Sequence, residues 1–257
     1  MAQMMDPAVW GNMIMSGWDE VGQPMFWVAV LKIMWINILL SGDNAVVIAM
    51  ACLGLPPRQR LWGMIFGAGV AVVLRIIFTG VVASLMLLPY LKIIGGLALF
   101  YIAAKLLVPD DPDESEVEAT EHLWRAIRIV AVADIIMSLD NVLAIAAAAQ
   151  NNYALIIIGL AVSIPMIVAG AAVIMALLDR YPILVWAGAA LLGWIVGEVI
   201  ATDQAIEQPL IARFGDEGAH YIALFCALIG AILVLLVGGY WRRAKLAAQE
   251  EKVSAAE

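Results

Sequence analysis

Charged residues are scarce in this sequence, and their scarcity excludes most soluble folds. Only 14% of the 257 residues are charged, whereas 64% are hydrophobic and the mean hydropathy is +0.96. A soluble domain is about half apolar and about a quarter charged. The apolar residues form several runs of about 20 or more, long enough to cross a hydrocarbon layer roughly 30 Å thick. The composition therefore predicts a membrane protein.

Three further features that the sequence lacks exclude a disulfide-rich fold, nucleic-acid binding and a cleavable signal. The chain has only two cysteines, Cys52 and Cys226, in or beside apolar runs, so no disulfide framework is predicted. Nothing in the arrangement of basic and aromatic residues suggests nucleic acid, so no nucleic-acid partner is expected. The first apolar stretch has no basic region ahead of it, so residues 1–25 are predicted to be an interfacial segment on the external side, not a cleavable signal.

Seven apolar segments are predicted to cross the membrane as helices, which makes the fold all-α. A segment in lipid must satisfy its own backbone hydrogen bonds, and these runs do not alternate as the strands of a β-barrel do. Turn sequences such as GLPPRQR and DRYP, and an acidic linker at 109–122, separate the segments. The predicted spans are 26–53, 61–88, 90–108, 123–149, 153–178, 182–201 and 220–240.

The basic residues predict the orientation of the chain. With seven spans, the following basic residues fall on one side: Arg58, Arg60, Lys105, Arg125, Arg128, Arg180, Arg242, Arg243 and Lys245. The positive-inside rule places that side in the cytoplasm. The linker 109–122 and the tail 241–257 are then cytoplasmic, and the N-terminus and the loop 202–219 are external.

An internal repeat organises the spans. Residues 36–51, INILLSGDNAVVIAMA, match residues 133–148, ADIIMSLDNVLAIAAA, at a constant offset of 97. The first three spans (26–108) therefore resemble the second three (123–201), and the seventh helix (220–240) is extra. Because each copy of the repeat has three spans, an odd number, the two copies must enter the membrane from opposite faces. This is the inverted-repeat plan of many transporters.

Polar residues of the repeat form the candidate site. The equivalent pairs are Asn37 with Asp134, Ser41 with Ser138, Asp43 with Asp140, and Asn44 with Asn141. The first motif lies inside the bilayer, because only the apolar residues 45–53 separate it from the next turn. At 1.5 Å per helical residue, Asp43 and Asp140 lie roughly 22 and 18 Å from the cytoplasmic face. The two carboxylates are thus predicted to reach a similar depth.

The chemistry of these residues favours a divalent cation. An aspartate at the centre of a span costs about 2.5–3.5 kcal/mol, so two of them need a compensating partner. One divalent ion neutralises both, and Asn and Ser add neutral oxygen ligands. An all-oxygen site suits Mg²⁺, Ca²⁺ or Mn²⁺, and no nearby Cys or His argues for Zn²⁺. Asn37 and Asp134, one turn before Ser41 and Ser138, are further ligand or relay candidates.

Arg75 is the only basic residue predicted to lie deep within a span, roughly 22 Å from the cytoplasmic face. A guanidinium keeps its proton, so it needs a carboxylate or a water-lined cavity. Two interpretations stay open. Arg75 either pairs with Asp43 or Asp140 and releases them when metal arrives, or pairs permanently with another acid, such as Asp134, and only holds helices together.

The motifs SGDNAVVIAMA and SLDNVLAIAAA, the seven-span layout and the acidic linker resemble the TerC family of bacterial integral membrane proteins, in particular its short YjbE/YkoY-like members. This family, one of the LysE-like transporters, is implicated in manganese efflux, tellurite resistance and metal loading of exported enzymes. The resemblance covers residues 26–240. It implies broken first and fourth spans, a bacterial inner-membrane location, and metal binding by Asp43, Asn44, Asp140 and Asn141. The implied Mn²⁺ is a transported substrate, and no permanent cofactor is expected.

Two other functions remain open. Two intramembrane aspartates could form a protease dyad that shares one proton. However, intramembrane aspartyl proteases carry Gly-x-Gly-Asp, and Leu40 stands where the first glycine should be. The adjacent Asn residues also suit coordination better, so the chain is not expected to be an enzyme. The second alternative is a non-transporting membrane subunit that docks a stress-response or secretion partner.

Overall fold

The computed structural model describes residues 21–85, 89–108, 116–149 and 152–256, and the regular structure in these ranges is entirely helical. This confirms the all-α prediction for the described residues. We number the helices there in chain order as α1 (Pro24–Leu40), α2 (Gly42–Leu53), α3 (Pro57–Leu85), α4 (Leu91–Lys105), α5 (Glu116–Ala149), α6 (Tyr153–Arg180), α7 (Ile183–Ala201) and α8 (Gln204–Ala256).

Several of these helices are long and apolar enough to cross a bilayer. They are Pro57–Thr79, Ala154–Arg180, Ile183–Ala201 and Gln204–Gln249. α1 and α2 pass the same test together, as a pair bent by 59°. The described residues thus hold four candidate spans, or five with the bent pair, compared with the seven predicted. α4, with 15 residues, is shorter than the roughly 20 that a straight crossing needs.

Two groups of buried apolar side chains hold the bundle together. The larger group draws side chains from each helix from α2 to α8 and includes Ile48, Leu99 and Leu192. The smaller group joins α1 to the adjoining ends of α5 and α6 through residues such as Ile33 and Ile156. Large apolar side chains elsewhere, for example those of Leu39, Val173 and Leu236, face outward. Such a surface is expected where the solvent is lipid.

Basic side chains gather at one end of the bundle, as the distribution of basic turns predicted. Arg60 forms an ion pair of 2.6 Å with Asp179 and donates to the carbonyl of Leu53 at the end of α2. Asp179 also lines a cavity at this end with Lys105, Arg125 and Arg242. Turns that are distant in sequence therefore meet on one face.

Asp203 joins two helix N-termini at another point of the fold. Its buried carboxylate accepts the backbone N–H groups of Tyr90, Lys92 and Ile93, where α4 begins, and of Ala205 in α8. Burial by itself raises the pKa of Asp203, but these four donors outweigh it and hold the pKa below its ordinary value. Asp203 thereby fixes the start of α8 to the start of α4.

The prediction of a loop at 202–219 is wrong, because α8 already begins at Gln204. Within α8 the helix is interrupted at Gly215, with φ 72° and ψ 175°, a conformation that glycine adopts at little cost. The predicted tail continues the same helix as far as Ala256. In the acidic linker, residues 109–115 lie outside the described part, and 116–122 form the first turns of α5. Most of the predicted N-terminal segment, residues 1–20, also lies outside it.

Candidate functional site

The first motif breaks its helix at Ser41. This residue has φ −113° and ψ 13°, and the axes of α1 and α2 differ by 59° around it. The carbonyl of Leu40, at the end of α1, accepts the side-chain N–H of Asn141 from α5, at 3.0 Å. Broken helices of this kind present backbone groups and helix ends to ions in many transporters. The break therefore creates polar backbone inside the bundle.

The second motif does not break its helix, so the prediction of a broken fourth span is wrong. α5 runs without interruption from Glu116 to Ala149, through residues 138–141. Leu139, a good helix former, occupies the position of Gly42 in the second copy. The side chain of Asp140 lies outside the described part of the structure. Its predicted meeting with Asp43 thus stays a prediction.

A buried polar network lies beside the break and joins α1, α2, α3 and α5. Arg75, which is 2% exposed, donates to Asn37, to Ser41 at 2.8 Å and to Asp134 at 2.5 Å. Asn44 donates to the same Oδ1 of Asp134, at 3.1 Å. One guanidinium therefore contacts Asn37 and Asp134, which occupy equivalent positions in the two repeats.

Asn37 extends this polar network to α6. Its side-chain Nδ2 donates to the hydroxyl of Ser163 at 2.6 Å, and Ser163 donates to the carbonyl of Leu160 at 2.7 Å. Ser163 was not among the residues predicted from the sequence. It is the one polar side chain of α6 between Tyr153 and Asp179, and a polar residue so isolated in an apolar helix was the available signal.

In the structure Arg75 pairs with Asp134, the acid named in the second of the two interpretations. Both side chains of this ion pair are 3% exposed. Asp43 lies in the first turn of α2, half-buried, and its carboxylate accepts the backbone N–H of Asn44 at 2.8 Å. The predicted site residues thus divide into Asn37, Ser41, Asn44 and Asp134 around Arg75, and Asp43 beside them. Ser138 is buried on α5, one turn after Asp134.

A small cavity of about 10 Å³ adjoins the network, with room for roughly one water molecule or bare ion. Its polar lining consists of Ser41, Asn44, Arg75 and Asp134. Oδ1 of Asn44 and Oδ2 of Asp134 are buried, and neither has a hydrogen-bond partner among the described residues. A buried polar atom without a partner costs about 1–3 kcal/mol. Both residues line the cavity, and two such oxygen acceptors suit a cation. Nε of Arg75, on the same cavity, is a further buried atom without a partner among the described residues.

The oxygen donors here are mostly neutral. Among the described residues, no three His, Cys, Asp or Glu side chains gather in a way that could hold a metal ion. A cation at this cavity would therefore use the carboxylate of Asp134 together with amide and hydroxyl oxygens from Asn44 and Ser41. Such ligands suit hard cations, which prefer oxygen.

Helices long and apolar enough to cross a bilayer, with large apolar side chains facing outward, are typical of an integral membrane protein. The sequence profile of the integral membrane protein TerC family matches residues 22–246, so the chain belongs to that family. No solved structure matches the chain.

The chain is also similar to several curated proteins. The chain is 41% identical over 179 residues to the "uncharacterized membrane protein YjbE" of Bacillus subtilis (strain 168), covering 70% of this chain and 82% of that one. It is 26% identical over 250 residues to the "uncharacterized membrane protein YceF" of the same organism, covering 93% of each chain. A "UPF0053 protein" of Buchnera aphidicola subsp. Schizaphis graminum is 24% identical over 139 residues, which cover 47% of this chain and 27% of that protein.

Proposed function

We propose that this protein transports a hard divalent cation, which binds between the break in the first span and α5. The observation that supports this most directly is the pair of unpartnered oxygens, Oδ1 of Asn44 and Oδ2 of Asp134, on one cavity. An oxygen-only donor set favours Mg²⁺, Ca²⁺ or Mn²⁺. Mn²⁺ and the direction of efflux are the choices that the family resemblance favours.

Arg75 has a defined role in this proposal. In the absence of metal its guanidinium holds three side-chain oxygens, those of Asn37, Ser41 and Asp134, much as a cation would. An unpaired carboxylate in the bundle interior costs several kcal/mol, and Arg75 offsets that cost. Because Arg75 and Asn44 contact only Oδ1 of Asp134, Oδ2 is left for the cation. Asp43 and Asp140, from equivalent positions of the repeats, would complete the negative charge.

The packing of the helices supports two inverted three-helix repeats. We assign α1–α2, α3 and α4 to the first repeat and α5, α6 and α7 to the second. α3 packs against α5, α1 against α6, and α4 against α7. Exchanging the repeats converts the first two pairings into each other and leaves the third unchanged, as a two-fold axis would require. α8 packs against α7 and α4, and we propose it as the seventh span.

The orientation in this proposal follows the basic residues. The end with Arg60, Lys105, Arg125 and Arg242 faces the cytoplasm of a bacterial inner membrane, and the N-terminus is external. Asp43 and Asn44 then lie between the two faces, where an alternating-access carrier binds its substrate.

The same geometry favours an ion carrier over an enzyme. In an aspartyl protease dyad two carboxylates share a proton. The buried carboxylate of Asp134 is instead held by Arg75 and Asn44. A subunit that only docks a partner would have no use for unpartnered oxygens on an internal cavity. The proposal therefore assigns binding, not covalent chemistry, to these groups.

Reconstitution tests the proposal. Purified protein is placed in liposomes that contain a Mn²⁺-sensitive dye, and influx is compared for the wild type, Asp134→Asn and the control Asp179→Asn. The control removes a carboxylate that is 47% exposed at the end of the bundle. We expect flux to be lost in Asp134→Asn alone. If Asp134→Asn transports at the wild-type rate, the site lies elsewhere. If the wild type gives no flux but Mn²⁺ still raises its melting temperature, the non-transporting subunit is favoured.

A further inference from the structure

A second, larger cavity lies at the basic end of the bundle. It has a volume of about 420 Å³ and is bounded by α2, α4, α5, α6, α7 and α8. It shares no lining residue with the small cavity at Asp134. We call it the basic cavity, because its lining includes Lys105, Arg125 and Arg242. A ligand of the basic cavity would therefore bind apart from the proposed cation site.

The charge of the basic cavity favours an anion. Among the described residues its lining contains one carboxylate, that of Asp179, and Arg60 already balances this charge at 2.6 Å. Lys105 lies over the ring of Tyr101, with 5.6 Å from Nζ to the ring centroid. Arg242 lies over the ring of Trp186, with 5.7 Å from Cζ to the centroid. These aromatic contacts position both cations without neutralising them.

Apart from His122, which contacts Arg125, the rest of the described lining is apolar, so the cavity is amphiphilic. Apolar side chains from four regions of the chain, including Met50, Leu107, Ile129 and Val185, form its wall. A small hydrated anion would leave that wall exposed to water, whereas an anion attached to a hydrocarbon chain would cover it. The composition of the cavity thus selects a ligand with a charged head and an apolar tail.

The position of the cavity agrees with such a ligand. The rings of Tyr101 and Trp241 are in contact at 6.0 Å beside Lys105 and Arg242, and aromatic rings concentrate at the interface between lipid and water. The positive-inside rule places this end on the cytoplasmic side, where basic pockets between membrane helices bind anionic lipid headgroups. We propose that the basic cavity binds the phosphodiester headgroup of an anionic phospholipid, with the adjoining acyl chain along the apolar wall.

Lipid titration of the detergent-purified full chain, followed by native mass spectrometry, tests this assignment. The probes are phosphatidylglycerol, phosphatidylcholine with the same acyl chains, and inorganic phosphate. Each cation near an anionic headgroup contributes about a fivefold change in affinity. Lys105→Gln and Arg242→Gln should therefore each weaken phosphatidylglycerol binding roughly fivefold and leave phosphatidylcholine binding unchanged.

Arg243→Gln is the matched control, because Arg243 is the next residue along α8 and is exposed. It should leave phosphatidylglycerol binding unchanged, and Arg242→Lys, which keeps the charge, should retain most of it. Equal binding of the two lipids, or an equal loss in Arg243→Gln, would overturn the proposal. Displacement of phosphatidylglycerol by millimolar inorganic phosphate would assign the cavity to a soluble phosphate compound instead of a lipid. If Arg242→Gln does not fold, Lys105→Gln and Arg242→Lys give the same comparison.

Discussion

At the scale of single residues, Arg75 is the group on which the candidate site depends. Arg75→Gln leaves the carboxylate of Asp134 buried without its ion pair, and breaking a buried pair in this way costs about 3–5 kcal/mol. We therefore expect a lower melting temperature in metal-free detergent solution. Because Mn²⁺ would then be the sole cation on Asp134, it should raise the melting temperature of the variant more than that of the wild type.

Arg60→Gln controls for the loss of one arginine. Its partner Asp179 is 47% exposed, and pairs with exposed members contribute about 0–1 kcal/mol. Arg60→Gln also loses hydrogen bonds to the carbonyls of Leu53 and Leu55, but it leaves no buried charge unpaired. The measurement is a melting curve for each protein with and without Mn²⁺. A stable Arg75→Gln protein whose response to Mn²⁺ equals that of the wild type would show that Arg75 neither supports the fold nor competes with the cation.

The sequence identified most residues of this network but not their pairing. The repeat indicated Asn37, Ser41, Asn44 and Asp134, and the rarity of a basic residue deep within a span indicated Arg75. Which acid faces Arg75 depends on the rotation of each helix about its axis. An apolar helix does not reveal that rotation, because the sides that face lipid and protein are equally hydrophobic.

At the scale of helices, glycine matters where two backbones meet and not where the first span breaks. A Cβ added at Gly197 of α7 would lie 2.1 Å from the carbonyl oxygen of Cys226 in α8, so Gly197→Ala must force the helices apart. Overpacking of this kind costs about 1–3 kcal/mol or more. A Cβ at Gly42 meets nothing within 4 Å. We expect Gly197→Ala to lower the melting temperature and Gly42→Ala to leave it near that of the wild type.

The comparison of these two glycine variants also tests the cause of the helix break. Gly42→Ala should retain Mn²⁺ binding, because Gly42 does not adopt a positive φ. Loss of binding in a well-folded Gly42→Ala protein would show that the break needs glycine after all. A glycine in an apolar helix, here Gly42, is the signal in the sequence that would allow a break. The conformation instead departs from the helix at Ser41, whose hydroxyl is held by Arg75.

Asp203 gives a pH-dependent prediction at the same scale. Because its pKa is lower in the folded protein than the ordinary value of 3.8, its contribution to stability is present above that value and is lost as the pH falls through the folded pKa. Asp203→Asn replaces one oxygen that accepts backbone N–H groups by an amide that cannot. We expect the variant to melt at a lower temperature at neutral pH, and the difference to shrink below pH 3.8.

The measurement for Asp203 is the melting temperature as a function of pH. Asp216→Asn, an exposed carboxylate elsewhere on α8, controls for the change in net charge. A difference that persists unchanged at acid pH would show that the carboxylate charge is not what joins α4 to α8. This contact also explains why 202–219 could not be recognised as helical. Its polar composition is typical of a loop, and the cap at Asp203 depends on residues more than a hundred positions away.

At the scale of the whole molecule, the repeat was visible in the sequence, whereas the pairing of its helices was not. The matching motifs fixed which residues are equivalent, but a constant offset says nothing about which helices touch. In the pairings of α3 with α5 and of α1 with α6, a helix of one repeat packs against a helix of the other. The polar network consequently draws residues from both copies. A site built in this way is lost if either repeat is displaced.

The orientation of α8 is the prediction that concerns the molecule as a whole. Ala212 and Ala244 are exposed positions of this helix on either side of its apolar stretch. Between Gly215 and Ala244 the helix extends roughly 43 Å, more than the roughly 30 Å of a hydrocarbon core. The two alanines therefore cannot lie on one side of the membrane if α8 crosses it. Cysteines at these positions, in a background with Cys226→Ser, test the orientation with an impermeant maleimide on intact cells.

We expect Ala212→Cys to react with the maleimide in intact cells and Ala244→Cys to react only after the membrane is opened. The reason is that Ala244 belongs to the same end of the bundle as Arg242 and Lys105, and the positive-inside rule keeps such an end in the cytoplasm. Labelling of both cysteines in opened cells controls for accessibility. The reverse pattern would turn the whole bundle over, and the basic cavity would then face the outer leaflet. Reaction of both cysteines in intact cells would show that α8 does not cross the membrane, which would remove the seventh span.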